Sequence, residues 1–195
     1  FNLGTTTVTW TATDGSGNSS SCTFNVLVSD NQLPSIVSCG ASGTQNVLAN
    51  VGVCTYTNAG NAWNASATDN CSVVSITYTL SGATSGTGTT LNGVVFNQGT
   101  TLVTWTALDG SGNSSICSFN VIVGDNQNPL ISNCSAIGNQ IVNANTGVCS
   151  YTHKSNSWNA IATDNCTVSS LVYSLSGATT GTGTSLNGIQ FNLGL

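Results

Sequence analysis

The sequence predicts an all-β protein built of tandem immunoglobulin-like β-sandwich domains, with about 95 residues per repeat, and three observations predict it. The first is internal repetition. Asp14, Asp30 and Asp69 return as Asp109, Asp125 and Asp164, and Phe1, Trp10, Cys22, Pro34, Cys39, Cys54, Trp63, Cys71, Tyr78 and Leu91 return as Phe96, Trp105, Cys117, Pro129, Cys134, Cys149, Trp158, Cys166, Tyr173 and Leu186, always at the same offset. A period this long describes one small domain rather than one turn of a solenoid. The second is alternation of apolar and polar residues over short runs, and the third is that no stretch sustains a helical apolar period.

The strands can be taken in chain order. In VVSITYTL, residues 73–80, Val74, Ile76, Tyr78 and Leu80 share one face. Residues 81–90, SGATSGTGTT, are rich in glycine and break the pattern. In TTLVTWTAL, residues 100–108, Val103, Trp105 and Ala107 form an apolar row, and in ICSFNVIV, residues 116–123, Cys117, Phe119, Val121 and Val123 form another. Half-buried strands of this length, separated by turns within a domain of this size, favour a sandwich over a small barrel.

Composition excludes several functions. The chain has a single Lys and no Arg, and its formal charge is −5, so it offers no basic surface to nucleic acid. No apolar run approaches the ~18 residues of a membrane span, so no membrane insertion is expected. Eight cysteines at repeated spacings, without CxxC pairs or matching histidines, point to disulfides in an oxidising, extracellular setting rather than to zinc. No nucleophile with a base recurs between the repeats. His153 and Lys154 are replaced by Asn58 and Ala59, which reads as surface variation and not as catalysis, and no enzyme is expected. Trp63 and Trp105 read as core. Sequons at Asn18, Asn64, Asn70, Asn113, Asn133 and Asn165 arise readily by chance in an Asn- and Ser-rich chain.

The run DNQLPSIVSC from Asp30, then GVCTY, ATDNC and FNQGTTLVTWTALDGSGNSSICSFNVIV, closely resembles the hyalin-repeat, or HYR, family. The resemblance covers essentially the whole chain. It implies an immunoglobulin-like fold and a place in extracellular adhesion proteins, including long repetitive bacterial surface adhesins. In that frame residues 1–29 are the C-terminal part of a preceding repeat, 30–125 a complete repeat, and 126–195 the N-terminal part of a following one. The closing FNLGL echoes the opening FNLGT. Two layouts fit: a stretch of a longer covalent fibre, or a processed subunit whose two incomplete ends complete each other between molecules. Either way the expected partners are neighbouring repeats or subunits in a head-to-tail filament, because half a sandwich bares apolar surface and sheet edges.

The same layout implies the disulfides. In a seven-stranded sandwich the first and last strands lie side by side, which favours Cys39–Cys117, with Cys54–Cys71 and Cys149–Cys166 around the second strand. Cys22 and Cys134 then take partners outside residues 1–195. Cys22–Cys39 across the linker is the competing scheme. Closing a loop of roughly 80 residues would stabilise a domain by about 4 kcal/mol.

Every acidic residue is an aspartate, and in the sandwich Asp30, Asp69 and Asp109 fall at one pole. Carboxylates that converge without a cation raise one another's pKa, and Ca²⁺ removes that conflict with six to eight oxygen ligands. The expected ligands are Asp30, Asp69, Asp109, Asn31, Asn70 and Asn113, with Asp125, Asp164 and Asp14 in the corresponding sites of adjoining repeats. The alternative is that these aspartates only form turns, bonding nearby backbone amides. For the whole segment the expected function is the shaft of an extracellular filament or stalk. The competing function is a repeated adhesion module that itself holds a glycan or protein ligand.

Overall fold

The computed structural model describes residues 1–194. Seventeen strands follow one another without a helix among the described residues, so no helix there is long and apolar enough to cross a membrane. The described residues divide into two compact units, one of residues 1–47 and 55–124, the other of residues 48–54 and 125 onward.

The first unit opens with a hairpin of β1 (Gly4–Thr13) and β2 (Ser19–Val28), which forms its own two-stranded sheet. After the linker come β3 (Ser35–Ser38), β4 (Gln45–Leu48), β5 (Thr55–Thr57), β6 (Ser66–Thr68), β7 (Val73–Gly82), β8 (Gly86–Gly88), β9 (Val95–Asn97), β10 (Gly99–Asp109) and β11 (Ser114–Gly124). Five of these make one sheet in the order β4-β11-β10-β7-β8, while β3 pairs with β6 and β5 with β9. This is the all-β immunoglobulin-like sandwich expected from the repeat. Its core is formed by Tyr78, Leu80, Val103, Trp105, Ala107, Phe119, Val121 and Val123 of the large sheet, closed by Leu91 and Phe96. Trp63 bridges the layers, with ring centroids 5.9 Å from Phe96 and 6.2 Å from Phe119. Trp105 is wholly buried, stands edge-on to Tyr78, and donates its indole N–H to the Trp63 carbonyl at 3.2 Å. A buried indole needs such an acceptor.

Two sequence expectations change in detail. The alternation of β7 was expected to bury Val74, yet that residue is 65% exposed. A register shift between Leu108 and Asp109 sets Asp109 opposite Val73, and the last turn of the face is lost there. The glycine-rich stretch does not simply break the sheet, because Gly86–Gly88 adds an edge strand to β7. The Tyr78 ring lies over Gly88, where a Cβ would sit 2.7 Å from the tyrosine oxygen, so glycine is required by close approach.

The second unit contains β12 (Leu130–Cys134), β13 (Ser150–Thr152), β14 (Ala160–Thr163), β15 (Tyr173–Leu175), β16 (Gly181–Gly183) and β17 (Gln190–Asn192). It pairs β12 with β14, β13 with β17 and β15 with β16, repeating the small pairings of the first unit. What differs is instructive. Residues 140–143, counterparts of β4, form no strand, and the counterpart of the ten-residue β7 shrinks to the three residues of β15. In the first unit β4 is held by β11 and β7 by β10, and residues 126–194 contain no equivalent of either hairpin strand. Extended backbone without a ladder partner has no sheet to join.

His153 is not surface variation as its replacement by Asn58 led us to expect. It is 4% exposed and stacks on Trp158 at 4.0 Å, with Tyr151 Oη and Ser155 Oγ on its ring nitrogens. Asn58 is buried too, and donates to the Leu91 carbonyl, so the position is a core site in both repeats. Lys154 is exposed.

Candidate metal site and disulfide network

Asp30 lies in the linker before β3 and Asp69 in the loop after β6. Their carboxylates and the Cys71 sulfur come within 4.8 Å of one another. Each aspartate is half engaged. Asp30 Oδ1 accepts the Gln32 amide and Asp69 Oδ2 the amides of Cys71 and Ser72, whereas Asp30 Oδ2 and Asp69 Oδ1 are buried with no hydrogen-bond partner. Buried carboxylate oxygens without donors are costly unless a cation faces them.

The second unit repeats the arrangement with Asp125, Asp164 and Cys166. Asp125 Oδ1 accepts the Gln127 amide and Asp164 Oδ1 the Cys166 amide; Asp164 Oδ2 and Asn165 Oδ1 are buried without partners. Here Cys166 is in a disulfide, so it offers no thiolate. The remaining donors are oxygens, which suit a hard cation of the calcium class. In the first cluster desolvation of the sulfur pushes the Cys71 thiol up, and the neighbouring carboxylates of Asp30, Asp69 and Asp109 add to the rise.

Asp109 stands apart from this cluster of unpartnered oxygens. It is 2% exposed, and its Oδ1 accepts the amides of Ser111 and Asn113 while Oδ2 accepts the Asn113 side-chain amide at 2.8 Å. Burial alone would raise its pKa, but these donors outweigh it and hold the carboxyl below its ordinary value. The same Asn113 nitrogen reaches the Asp30 carbonyl at 3.3 Å. Asp109 thus shapes its turn and aims Asn113 at the linker. Asp14 builds the same turn with Ser16 and Asn18 in the first hairpin, there exposed. Asn31 is exposed, and Asn70 turns its amide towards Cys71 Sγ. The pairing of Asp30 with Asp69 was legible in the repeat; the part taken by Cys71 and Asn165 was not, although both follow directly in the repeated DNC motif.

Two disulfides are present among the described residues. Cys39–Cys117 joins the end of β3 to β11. The other is Cys54–Cys166, and it replaces both Cys54–Cys71 and Cys149–Cys166. The correction has a physical cause: residues 48–54 belong to the second unit, so Cys54 sits 4.7 Å in Cα distance from Cys166. The turn is anchored there by Gly52 N–H donating to Gln127 Oε1, Gln127 Nε2 donating to the Asn50 carbonyl, and Asn165 Nδ2 donating to the Val53 carbonyl at 3.0 Å. Cys22, Cys71, Cys134 and Cys149 are free and exposed, and the Cys22–Cys39 alternative does not occur because Cys39 is taken.

Sandwich domains repeated in tandem and closed by disulfides define a class of modular β-repeat protein. Within that class the chain belongs to the HYR domain family, whose model matches residues 1–28 and again 29–123. It is similar to the serine-rich adhesin for platelets of Staphylococcus aureus: 30% identical over 124 residues in strain MRSA252, covering 60% of this chain and 8% of that protein, and equally identical in strain MSSA476, covering 5% of it. The chain therefore spans less than a tenth of the length of these relatives. Among solved structures, a protocadherin gammaB7 EC3-6 cis-dimer matches 97% of this chain and 52% of that one, at 19% identity and a TM-score of 0.34.

Proposed function

We propose that this chain is a segment of the shaft of an extracellular, cell-surface filament or stalk, a non-enzymatic element that carries an adhesin's binding parts rather than binding ligands itself. One observation carries the reading. The β1–β2 hairpin duplicates β10–β11 pair for pair, with Trp10 opposite Cys22 as Trp105 is opposite Cys117, yet Trp10 is 67% exposed and Trp105 is buried. Its neighbour across the hairpin shows the same contrast, Phe24 being 51% exposed where Phe119 is 4%. A hairpin with a core-type face calls for the first part of a repeat to cover it.

The second unit has the complementary need. A cleft of about 320 Å³ is lined by Ile131, Cys134, Trp158, Leu171, Tyr173 and Leu186. Trp63, Tyr78 and Cys39, the counterparts of three of these, surround Trp105 and Cys117 in the complete repeat. In the proposed array residues 1–29 end one repeat and residues 126–195 begin another, each completed by the neighbour one step along. The relatives' role as adhesins agrees with a surface location. The Asp30–Asp69 and Asp125–Asp164 pairs then bind Ca²⁺ beside the linkers and restrain their bending, because a ligand on the linker and one on a loop cannot both stay on the ion while the linker flexes.

Electron microscopy and intact mass of native material test this. Filaments with one globule per repeat are expected. Native material that forms no filament at any concentration would refute the shaft.

A further inference from the structure

The four free cysteines are not a random remainder. Displaced by one repeat, Cys22 corresponds to Cys117, Cys134 to Cys39, Cys71 to Cys166 and Cys149 to Cys54, so they comprise one of each bonded type. Cys39–Cys117 is a bond within a repeat, while Cys54–Cys166 runs from one repeat to the next. Applying both rules to the free residues calls for further repeats on either side, which a second copy of this sequence supplies. A single step of two repeats satisfies both demands together.

We infer that a following copy of this two-repeat sequence is locked to the preceding one by two disulfides, Cys134 to the copy's Cys22 and Cys149 to the copy's Cys71. The inference rests on the shaft reading and fixes its register.

The groups that seat the observed inter-repeat bond recur at the free positions. Asn50, Gly52 and Val53, which meet Gln127 and Asn165, have as counterparts Asn145, Gly147 and Val148, identical in type. Gln127 and Asn165 have as counterparts Gln32 and Asn70, again identical and both exposed. Even the local frame of the acceptor cysteine matches. Cys71 N–H donates to Asp69 and Asn70 Nδ2 approaches Cys71 Sγ at 3.4 Å, as Cys166 N–H donates to Asp164 and Asn165 Nδ2 approaches Cys166 Sγ at 3.5 Å. The turn at 145–149 and the surface around Cys71 are therefore the two halves of a contact already seen once in the chain.

Each bond forms by thiol–disulfide exchange. Two thiols give up two protons and two electrons, one S–S bond forms, and the disulfide of an oxidant of the dithiol–disulfide class is reduced to its dithiol. An oxidising extracellular setting supplies that class of oxidant.

The test is disulfide mapping of native, unreduced material, denatured with iodoacetamide and digested with pepsin. The flanking residues distinguish every cysteine: GVCTY from GVCSY for Cys54 and Cys149, DNCSV from DNCTV for Cys71 and Cys166, SSCTF for Cys22 and SNCSA for Cys134. The expected species join the Cys149 peptide to a DNC peptide other than that of Cys166, and the Cys134 peptide to one of the Cys22 type, with near-zero label on all four. Cys149→Ser should raise the label on Cys71 to about one per chain and leave Cys22 and Cys134 protected. Label on the unmutated cysteines, or a Cys149–Cys166 peptide, overturns the inference. If filaments are nevertheless present, the shaft reading survives that failure; if the material is monomeric, both fall. Electrophoresis with and without reductant separates the two sources of the copy. Reduction collapses separate chains to one mass and leaves a single long polypeptide unchanged.

Discussion

Replacing Trp10 and Trp105 by alanine, singly, separates a hairpin that is already part of a core from one that awaits its complement. Trp105 is fully buried, and removing a buried tryptophan costs about 3–5 kcal/mol, with its hydrogen bond to the Trp63 carbonyl lost in addition. Trp10 is 67% exposed, so about a third of that packing is at stake in the dispersed chain, roughly 1–1.5 kcal/mol. Once the hairpin enters a neighbouring repeat, Trp10 takes the place of Trp105, and the cost should rise to the same ~3–5 kcal/mol. The difference, about 3 kcal/mol, is more than a hundredfold in the equilibrium between assembled and dispersed states, since each 1.4 kcal/mol is tenfold. Guanidinium unfolding of the dispersed chain and the critical concentration for assembly measure the two terms. Equal destabilisation by both substitutions in the dispersed chain, or a critical concentration untouched by Trp10→Ala, would refute the reasoning.

Three further outcomes follow from the same geometry. The double substitution Cys39→Ser, Cys117→Ser opens a bond across a sequence separation of 78 and should lower unfolding free energy by about 4.5 kcal/mol on the chain-entropy model, read from denaturant midpoints; a loss under ~1 kcal/mol would deny the bond its stabilising role. Because the folded pKa of Asp109 is depressed, the stability it contributes is present above the ordinary carboxyl value near 3.9 and is lost as pH falls through the lower folded value. Asp109→Asn should therefore flatten the acid limb of a stability profile below about pH 4 and leave its slope between pH 6 and 8 unchanged. Chelation with EGTA should lower the melting temperature and increase filament curvature, and Asp30→Asn with Asp69→Asn should reproduce both; filaments free of bound divalent metal and indifferent to chelator would show that these aspartates serve the turns alone.

The sandwich was legible because alternation along residues 100–108 and 116–123 is read directly by a sheet with one face buried, and β10 and β11 lie where those runs fall. Val74 was misplaced because the bulge at Asp109 leaves no trace in a hydrophobic pattern. The bond at Cys39 follows from the order of strands within one repeat. The bond at Cys54 does not, since periodicity states that a GVC cysteine and a DNC cysteine come together but cannot state whether they belong to the same repeat or to successive ones. His153 was misread for a related reason: a single pair of repeats shows that a position varies, and a buried position varies too when both residues satisfy their hydrogen bonds.

The Cys54–Cys166 bond also decides how the molecule would carry tension. It bridges a sequence separation of 112, a length of chain that would reach on the order of 380 Å if drawn out. While the bond holds, a pull applied beyond its two ends passes through sulfur, and that slack stays out of the load path even if the sandwich between them melts. Heat can therefore unfold residues 55–165 without lengthening the path across them, and a reductant is needed before that stretch will extend.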